Sequence, residues 1–164
     1  MQRILLALSF LSAFSFSPVN AGSNGFFSNL AGHWSGSGQA YLPKLGEVAA
    51  DCRLSITGGE AQATMNGSCG LLVFRQALGF TVRNSGGNRY VGTYTGSRTG
   101  PAKLDGTLQG NRLVMRSTWG GLVNGDRTAQ MVLMRTGSNS FAQTVIDNVA
   151  GKTRSTSAFN FKRS

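Results

Sequence analysis

The sequence predicts an all-β protein, a small antiparallel up-and-down β-barrel of about 8–10 strands carrying one hairpin disulfide. Three observations point there. Short extended runs alternate with clusters of Gly, Asn and Ser at regular spacing from Gly32 to the chain end. No stretch holds the helical period long enough to make a convincing long helix. The 23 glycines are spread through turns and strands rather than gathered into a linker. Short sequential hairpins then favour a barrel over a sandwich, which asks for longer crossings.

The chain opens on a segment that stands apart from this fold. Arg3 supplies a positive start, Ile4 to Phe16 an apolar run relieved by Ser9, Ser12 and Ser15, and Val19-Asn20-Ala21 a small-residue end. Residues 1–21 read as a secretory signal, and 22–164 as one domain long enough to bury a real core. The apolar run is too short and too serine-rich for a membrane span, and no later stretch approaches the necessary length. An integral membrane protein is therefore not expected, and the periplasm or the medium is the expected location. Sixteen basic residues against six acidic ones give a net charge of +10. An exported protein rarely meets nucleic acid, so the anionic partners expected are lipid head groups, an acidic envelope polymer or an acidic protein. A soluble basic surface with no dedicated partner fits the same composition.

The first strand is Gly32-His33-Trp34-Ser35-Gly36-Ser37-Gly38, continuing to Tyr41-Leu42-Pro43. Trp34, Gly36 and Gly38 alternate, so an extended chain puts all three on one face and His33, Ser35 and Ser37 on the other. One face thus carries a large ring and two gaps. Glycine within a strand serves a sharp bend or the close approach of another group, and a closing barrel uses both.

This opening resembles the first strand of the calycin barrels, the group that includes lipocalins, fatty-acid-binding proteins and nitrobindin-like proteins. The resemblance covers about fourteen residues well, and beyond them only the strand rhythm. It implies that Trp34, with Gly32 before it, closes the barrel floor and that a basic residue near the chain end covers it. Arg163 shares the parity of Phe159 and Phe161 and is placed either to stack on Trp34 or to stand in water as a terminal residue. The nitrobindin-like comparison implies haem, but those proteins hold it with a late histidine and this chain has none after His33. The Arg-x-Tyr that grips a carboxylate in fatty-acid-binding proteins is also missing from Phe159 to Ser164. Haem is thus a minor expectation, and no cofactor is assigned.

Cys52 and Cys69 are the only cysteines, and in an oxidising compartment such a pair most often forms one disulfide. If they face each other across a hairpin, its centre lies between Glu60 and Ala61 and Gly58 to Ala63 form the loop. Closing the chain between Cys52 and Cys69 would contribute about 3 kcal/mol in the chain-entropy model. The flanking strands are Glu47–Thr57 and Thr64 to about Phe74, with Asn66-Gly67 warning of a bulge or turn. Leu71 to Leu78 is a continuous apolar run that periodicity cannot arbitrate; its flanking glycines favour strand, continued by Phe80 to Arg83.

Beyond that the rhythm is plain. Asn84 to Asn88 reads as a turn, Arg89–Thr95 as a strand, Gly96–Gly100 as a loop and Ala102–Gln109 as a strand. Gly110-Asn111 then turns into Arg112–Trp119. A longer connection, Gly120–Asp126, leads to the strand Arg127–Thr136. Gly137-Ser138-Asn139 turns into Ser140–Asp147, and Ser155–Arg163 closes the chain. The sets Leu104/Gly106/Leu108, Leu113/Met115/Trp119, Ala129/Met131/Leu133 and Phe159/Phe161 each share a face and form the predicted inner wall.

Chemistry is thin. His33 is the only histidine, and Asp51, Asp105, Asp126, Asp147, Glu47 and Glu60 are scattered singly. No base accompanies a nucleophile, no acids pair for glycoside chemistry, and no glycine-rich phosphate loop has its lysine. Two cysteines and one distant histidine do not make a zinc set, so no metal is expected. The expectation is a non-enzymatic binding protein for a small apolar or amphipathic anionic ligand. Trp34, Tyr90, Tyr94, Met115, Trp119 and Met131 would line its interior. The alternative is a protein-interaction barrel. Bacterial periplasmic metalloprotease inhibitors resemble this chain in their early Gly-x-Trp, paired cysteines and export, although this chain is longer and spaces its tryptophan and first cysteine further apart. An outer-membrane barrel is disfavoured, because these strands offer too few outward aromatics.

Overall fold

A computed structural model describes residues 25–71 and 73–164. The expected signal, 1–21, lies outside the described residues. After a 3₁₀ turn at Ser28–Leu30 come ten strands: β1 (Gly32–Leu42), β2 (Gly46–Gly58), β3 (Gln62–Leu71), β4 (Phe74–Gly86), β5 (Arg89–Tyr94), β6 (Ala102–Gln109), β7 (Arg112–Val123), β8 (Asp126–Gly137), β9 (Ser140–Val149) and β10 (Lys152–Arg163). Each pairs antiparallel with its neighbours in sequence, and β1 also pairs with β10, closing the barrel. Closure leaves no sheet edge open.

The alternation read in the first strand sets the seam. Trp34 is buried, while His33, Ser35 and Ser37 are exposed. Gly36 faces Phe161 and Gly38 faces Phe159 across the β1/β10 ladder. A Cβ on Gly38 would collide with the Ala158 carbonyl oxygen and stand 2.7 Å from the Phe159 ring. The gaps beside Trp34 are therefore filled by rings from the last strand, and side chains larger than hydrogen would push the two strands apart.

The disulfide joins Cys52 to Cys69 at directly opposed positions of the β2/β3 ladder, with Cα atoms 4.0 Å apart. Gly58 pairs with Ala63, which fixes the hairpin centre between Glu60 and Ala61. The Gly59 amide donates to the Gln62 carbonyl at 2.8 Å and closes the turn. Asn66-Gly67 makes no bulge, because the ladder runs unbroken from Gly58/Ala63 to Ala50/Leu71. Gly67 instead admits a close neighbour: a Cβ there would meet the Arg53 carbonyl oxygen and the Leu54 side chain.

Three connections differ from expectation. The apolar run from Leu71 to Leu78 is not one strand, since Leu71 pairs with Phe74 and the chain reverses between them. Gly120–Asp126 is not a long connection: β7 runs on to Val123, and Asn124-Gly125 turn into β8 with φ of 54° and 103°. Both angles are left-handed, the conformation of a tight hairpin turn that Asn and Gly adopt readily. Strands β9 and β10 likewise extend to Val149 and back from Lys152, around Ala150-Gly151 at φ 52° and 81°. Alanine is a poor turn signal, and nothing in its chemistry announces that conformation.

Alternate hairpins define two ends. The base carries the β2–β3, β4–β5, β6–β7 and β8–β9 turns, together with the start of β1 and the end of β10. The mouth carries the other five connections. The inner sets read from the sequence are buried apart from the half-buried Gly106, from Leu104 and Leu108 through Leu113, Met115 and Trp119 to Phe159 and Phe161.

Candidate functional site: the barrel interior and its mouth

The base is closed and its polar groups are met. Phe26, Phe27 and Leu30 are buried beneath the barrel. Phe26 and Phe27 meet edge to face at 5.0 Å, and Phe27 lies 5.4 Å from the Tyr90 ring. The Trp34 indole N–H donates to the Leu30 carbonyl at 2.8 Å. Its ring meets Phe141 edge-on at 4.9 Å, and Phe141 stacks on Phe161 at 4.6 Å. Arg163 lies over the other side of Trp34, its guanidinium 4.4 Å from the ring centroid. The same guanidinium donates to the carbonyls of Ala31 at 2.6 Å and Asn29 at 2.8 Å, so one side chain ties the last strand to the segment that plugs the floor. Gly32, at φ 130°, leaves the space this guanidinium needs, since a Cβ there would lie 2.5 Å from Nη1.

Toward the mouth the inner wall changes character. Ala40, Leu71, Leu78 and Tyr94 face inward and are only partly buried. Inner positions there are small: Ala40 on β1, Ala50 on β2, Ala102 on β6, Ala129 on β8 and Ser157 on β10. The Cys52–Cys69 bond is part of this wall. Polar groups appear among these residues. Ser117 Oγ and Trp119 Nε1 are buried and have no hydrogen-bond partner among the described residues. They are alternate residues of β7, so both face inward. Tyr94 meets Trp119 edge-on at 6.2 Å, and burial pushes its phenol above the ordinary tyrosine range. Gln143 and Ser157, also inward, lie within 3.5 Å of each other. By contrast the buried Asp147 is satisfied, accepting from Asn124 Nδ2 at 2.9 Å and from the Asn148 amide at 2.8 Å.

The six candidate lining residues thus fall into separate places. Trp34 and Tyr90 belong to the floor, where Tyr90 is fully buried against Phe27. Met115 and Met131 are partners in the β7/β8 ladder, both buried at mid-height. Tyr94 and Trp119 meet at the mouth. Sequence reading passed over Ser117, Gln143 and Ser157, although the parity of Ser117 with Met115 and Trp119 already put its hydroxyl inside. It also passed over Phe26 and Phe27, whose aromatic pair just after the expected cleavage point was the available signal. His33 is exposed on the outer face. Among the described residues no three His, Cys, Asp or Glu gather as metal ligands.

The outer wall is polar in mid-strand, with Asp51, Arg53, Asp105 and Arg116 exposed where a membrane barrel carries its apolar band. Two concavities lie on it, one around Arg83, Thr93 and Lys103 and the other around Arg116, Gln130 and Asn148, lined mainly by outward-facing residues. Among the described residues no helix is long and apolar enough to cross a membrane.

No family model matches the chain, and no curated protein matches it. Solved structures do. The barrel is similar to Rv2717c from M. tuberculosis, at 13% identity and a TM-score of 0.64, over 84% of this chain and 94% of that one. It is also similar to CPES, the S-type phycobiliprotein lyase from Guillardia theta, at 12% identity and a TM-score of 0.59, over 85% and 90% of the two chains. The likeness is one of fold: a closed antiparallel β-barrel, here of ten strands.

Proposed function

We propose that this is an exported ligand-binding barrel, its first 21 residues serving as the export signal. Its ligand is a small apolar or amphipathic molecule whose head accepts hydrogen bonds, as a carboxylate or carbonyl does. One observation carries the reading: two donors on the inner wall, Ser117 Oγ and Trp119 Nε1, have no partner among the described residues. A buried donor without a partner costs about 1–3 kcal/mol, and a ligand acceptor would recover that cost. The width of the barrel supports the same reading. Eight strands make a bore that side chains fill or that holds one small ligand, and ten strands make a wider one. Small inner residues toward the mouth, Ala40, Ala50, Ala102 and Ala129 among them, take up less of that width than large side chains would.

The ligand would enter at the mouth by parting Tyr94 and Trp119, since Ser117 is closed to water between them and the base. The fold does not decide between carrier and enzyme, since one of the similar barrels is by name a lyase. Carriage is favoured here because, among the described residues, no nucleophile with its base and no acid pair converges on the interior. The test is native mass spectrometry of the oxidised protein taken gently from its own cells, beside an organic extract and beside Trp119→Phe. A discrete added mass is expected in the wild type and diminished in the variant. A clean apo mass in the wild type would sink the carrier reading.

A further inference from the structure

Among the described residues, four of the five large apolar side chains that stand exposed are at the mouth. Leu45 is in the β1–β2 turn, Val73 in the β3–β4 turn, Phe74 heads β4 and Leu122 lies near the end of β7. Their exposures are 62, 90, 73 and 69%, against 37% for Met134 on β8. Nothing in the barrel requires them: closure already removes the sheet edge, and polar residues suit hairpin tips at no cost in packing. Basic side chains stand beside them. Lys44 adjoins Leu45, Arg75 adjoins Phe74, Arg98 is in the β5–β6 connection and Lys152 heads β10, all exposed and none in an ion pair among the described residues. The acids at this end are engaged. Glu47 binds Arg154 at 2.9 Å, Asp126 accepts from the Thr128 amide at 2.7 Å, and Asp147 is buried.

We propose that the mouth docks on an anionic phospholipid bilayer, its apolar tips at head-group depth and its basic side chains on the lipid phosphates. The tips favour a bilayer over a folded protein partner. Each projects from a different hairpin, so a protein would need a separate matched hollow for each, whereas a fluid interface receives apolar side chains wherever they stand. The charge is complementary to anionic head groups and adds attraction that salt weakens. Docking in this way would present the bore to the membrane, yet it does not depend on the ligand reading and is tested on delipidated protein.

The experiment is co-sedimentation of residues 22–164, oxidised, with vesicles of phosphatidylethanolamine and phosphatidylglycerol, or of phosphatidylcholine alone. Binding is expected to the anionic vesicles, weaker binding to phosphatidylcholine, and a decrease with added salt. Val73→Asp with Phe74→Ser should lower the vesicle affinity about tenfold, equivalent to about 1.4 kcal/mol. Both sites are exposed, so an unchanged thermal midpoint and circular dichroism spectrum would show that the barrel still folds. Lys44→Gln at the mouth should weaken binding more than the charge-matched Arg112→Gln, which is exposed at the base. Three results would overturn the proposal: no binding to anionic vesicles, equal losses from Lys44→Gln and Arg112→Gln, or undiminished binding by the apolar double variant. So would a concentration-dependent dimer that the same double variant abolishes, because the tips would then meet a second copy.

Discussion

The base and the mouth of this barrel are built from the same ten strands in opposite ways. At the base each polar group of the Trp34 cluster has a partner, and the aromatic rings meet edge-on or stacked. At the mouth the second tryptophan has an unmet N–H, its neighbour Ser117 an unmet hydroxyl, and the inner residues are small or partly exposed. The difference separates two tasks that a sequence presents alike. Trp34 and Trp119 are both buried inward tryptophans, but one holds the chain ends together while the other keeps a donor in reserve.

The largest effects should break that comparison at the two tryptophans. Trp34→Ala removes the ring that Arg163 and Phe141 cover and the donor to Leu30. A fully buried large aromatic truncated in this way costs about 3–5 kcal/mol. Urea denaturation should show a midpoint lowered accordingly. Trp119→Phe, by contrast, removes a donor that has no partner, so the stability lost with the larger ring is offset by an unmet polar group no longer buried. Its net cost should stay below about 1 kcal/mol. Equal losses at the two sites would mean that the mouth is packed as tightly as the base.

The disulfide comes next. It lies on the inner wall between the two ends, and replacing both Cys52 and Cys69 by alanine should cost about 3 kcal/mol by loop entropy. Hydrogen exchange sharpens the comparison: amides of β2 and β3 should lose protection, while those of β1 and β10 flanking Trp34 should keep most of theirs. Uniform loss over all ten strands would show one cooperative unit with no independent base.

Much of this was legible beforehand, and the reasons differ by residue. Alternation at Trp34, Gly36 and Gly38 fixed which face looks inward, because the period of a strand is two and allows no intermediate. The cysteine pair fixed a hairpin centre through simple opposition of register. The run from Leu71 to Leu78 could not be read, since apolar residues at an exposed turn carry no periodicity and mimic a buried strand. Ala150 hid its turn because the left-handed conformation is set there by the closing ladder, with no glycine or asparagine at that position to announce it. The interior of the mouth was only half legible. Parity placed Ser117 inside, but whether a partner lay opposite depended on strands distant in sequence.

The smallest expected effect concerns Tyr94 and the alkaline limb of stability. Burial at the mouth raises its phenol above the ordinary range because the phenolate would lose its hydration there. In the unfolded chain the same group ionises near pH 10. Below that pH both states hold the proton, and stability does not depend on it. Above it the unfolded chain releases the proton first, so the native state binds more protons and stability falls as pH rises through the folded value. Tyr94→Phe removes this term and leaves every other alkaline titration in place. The stability difference between wild type and variant, measured by urea unfolding, should therefore be constant from pH 7 to about 9.5 and move in favour of the variant above about pH 10. Parallel curves through that range would mean that Tyr94 is hydrated in the folded protein and that water already reaches well into the mouth.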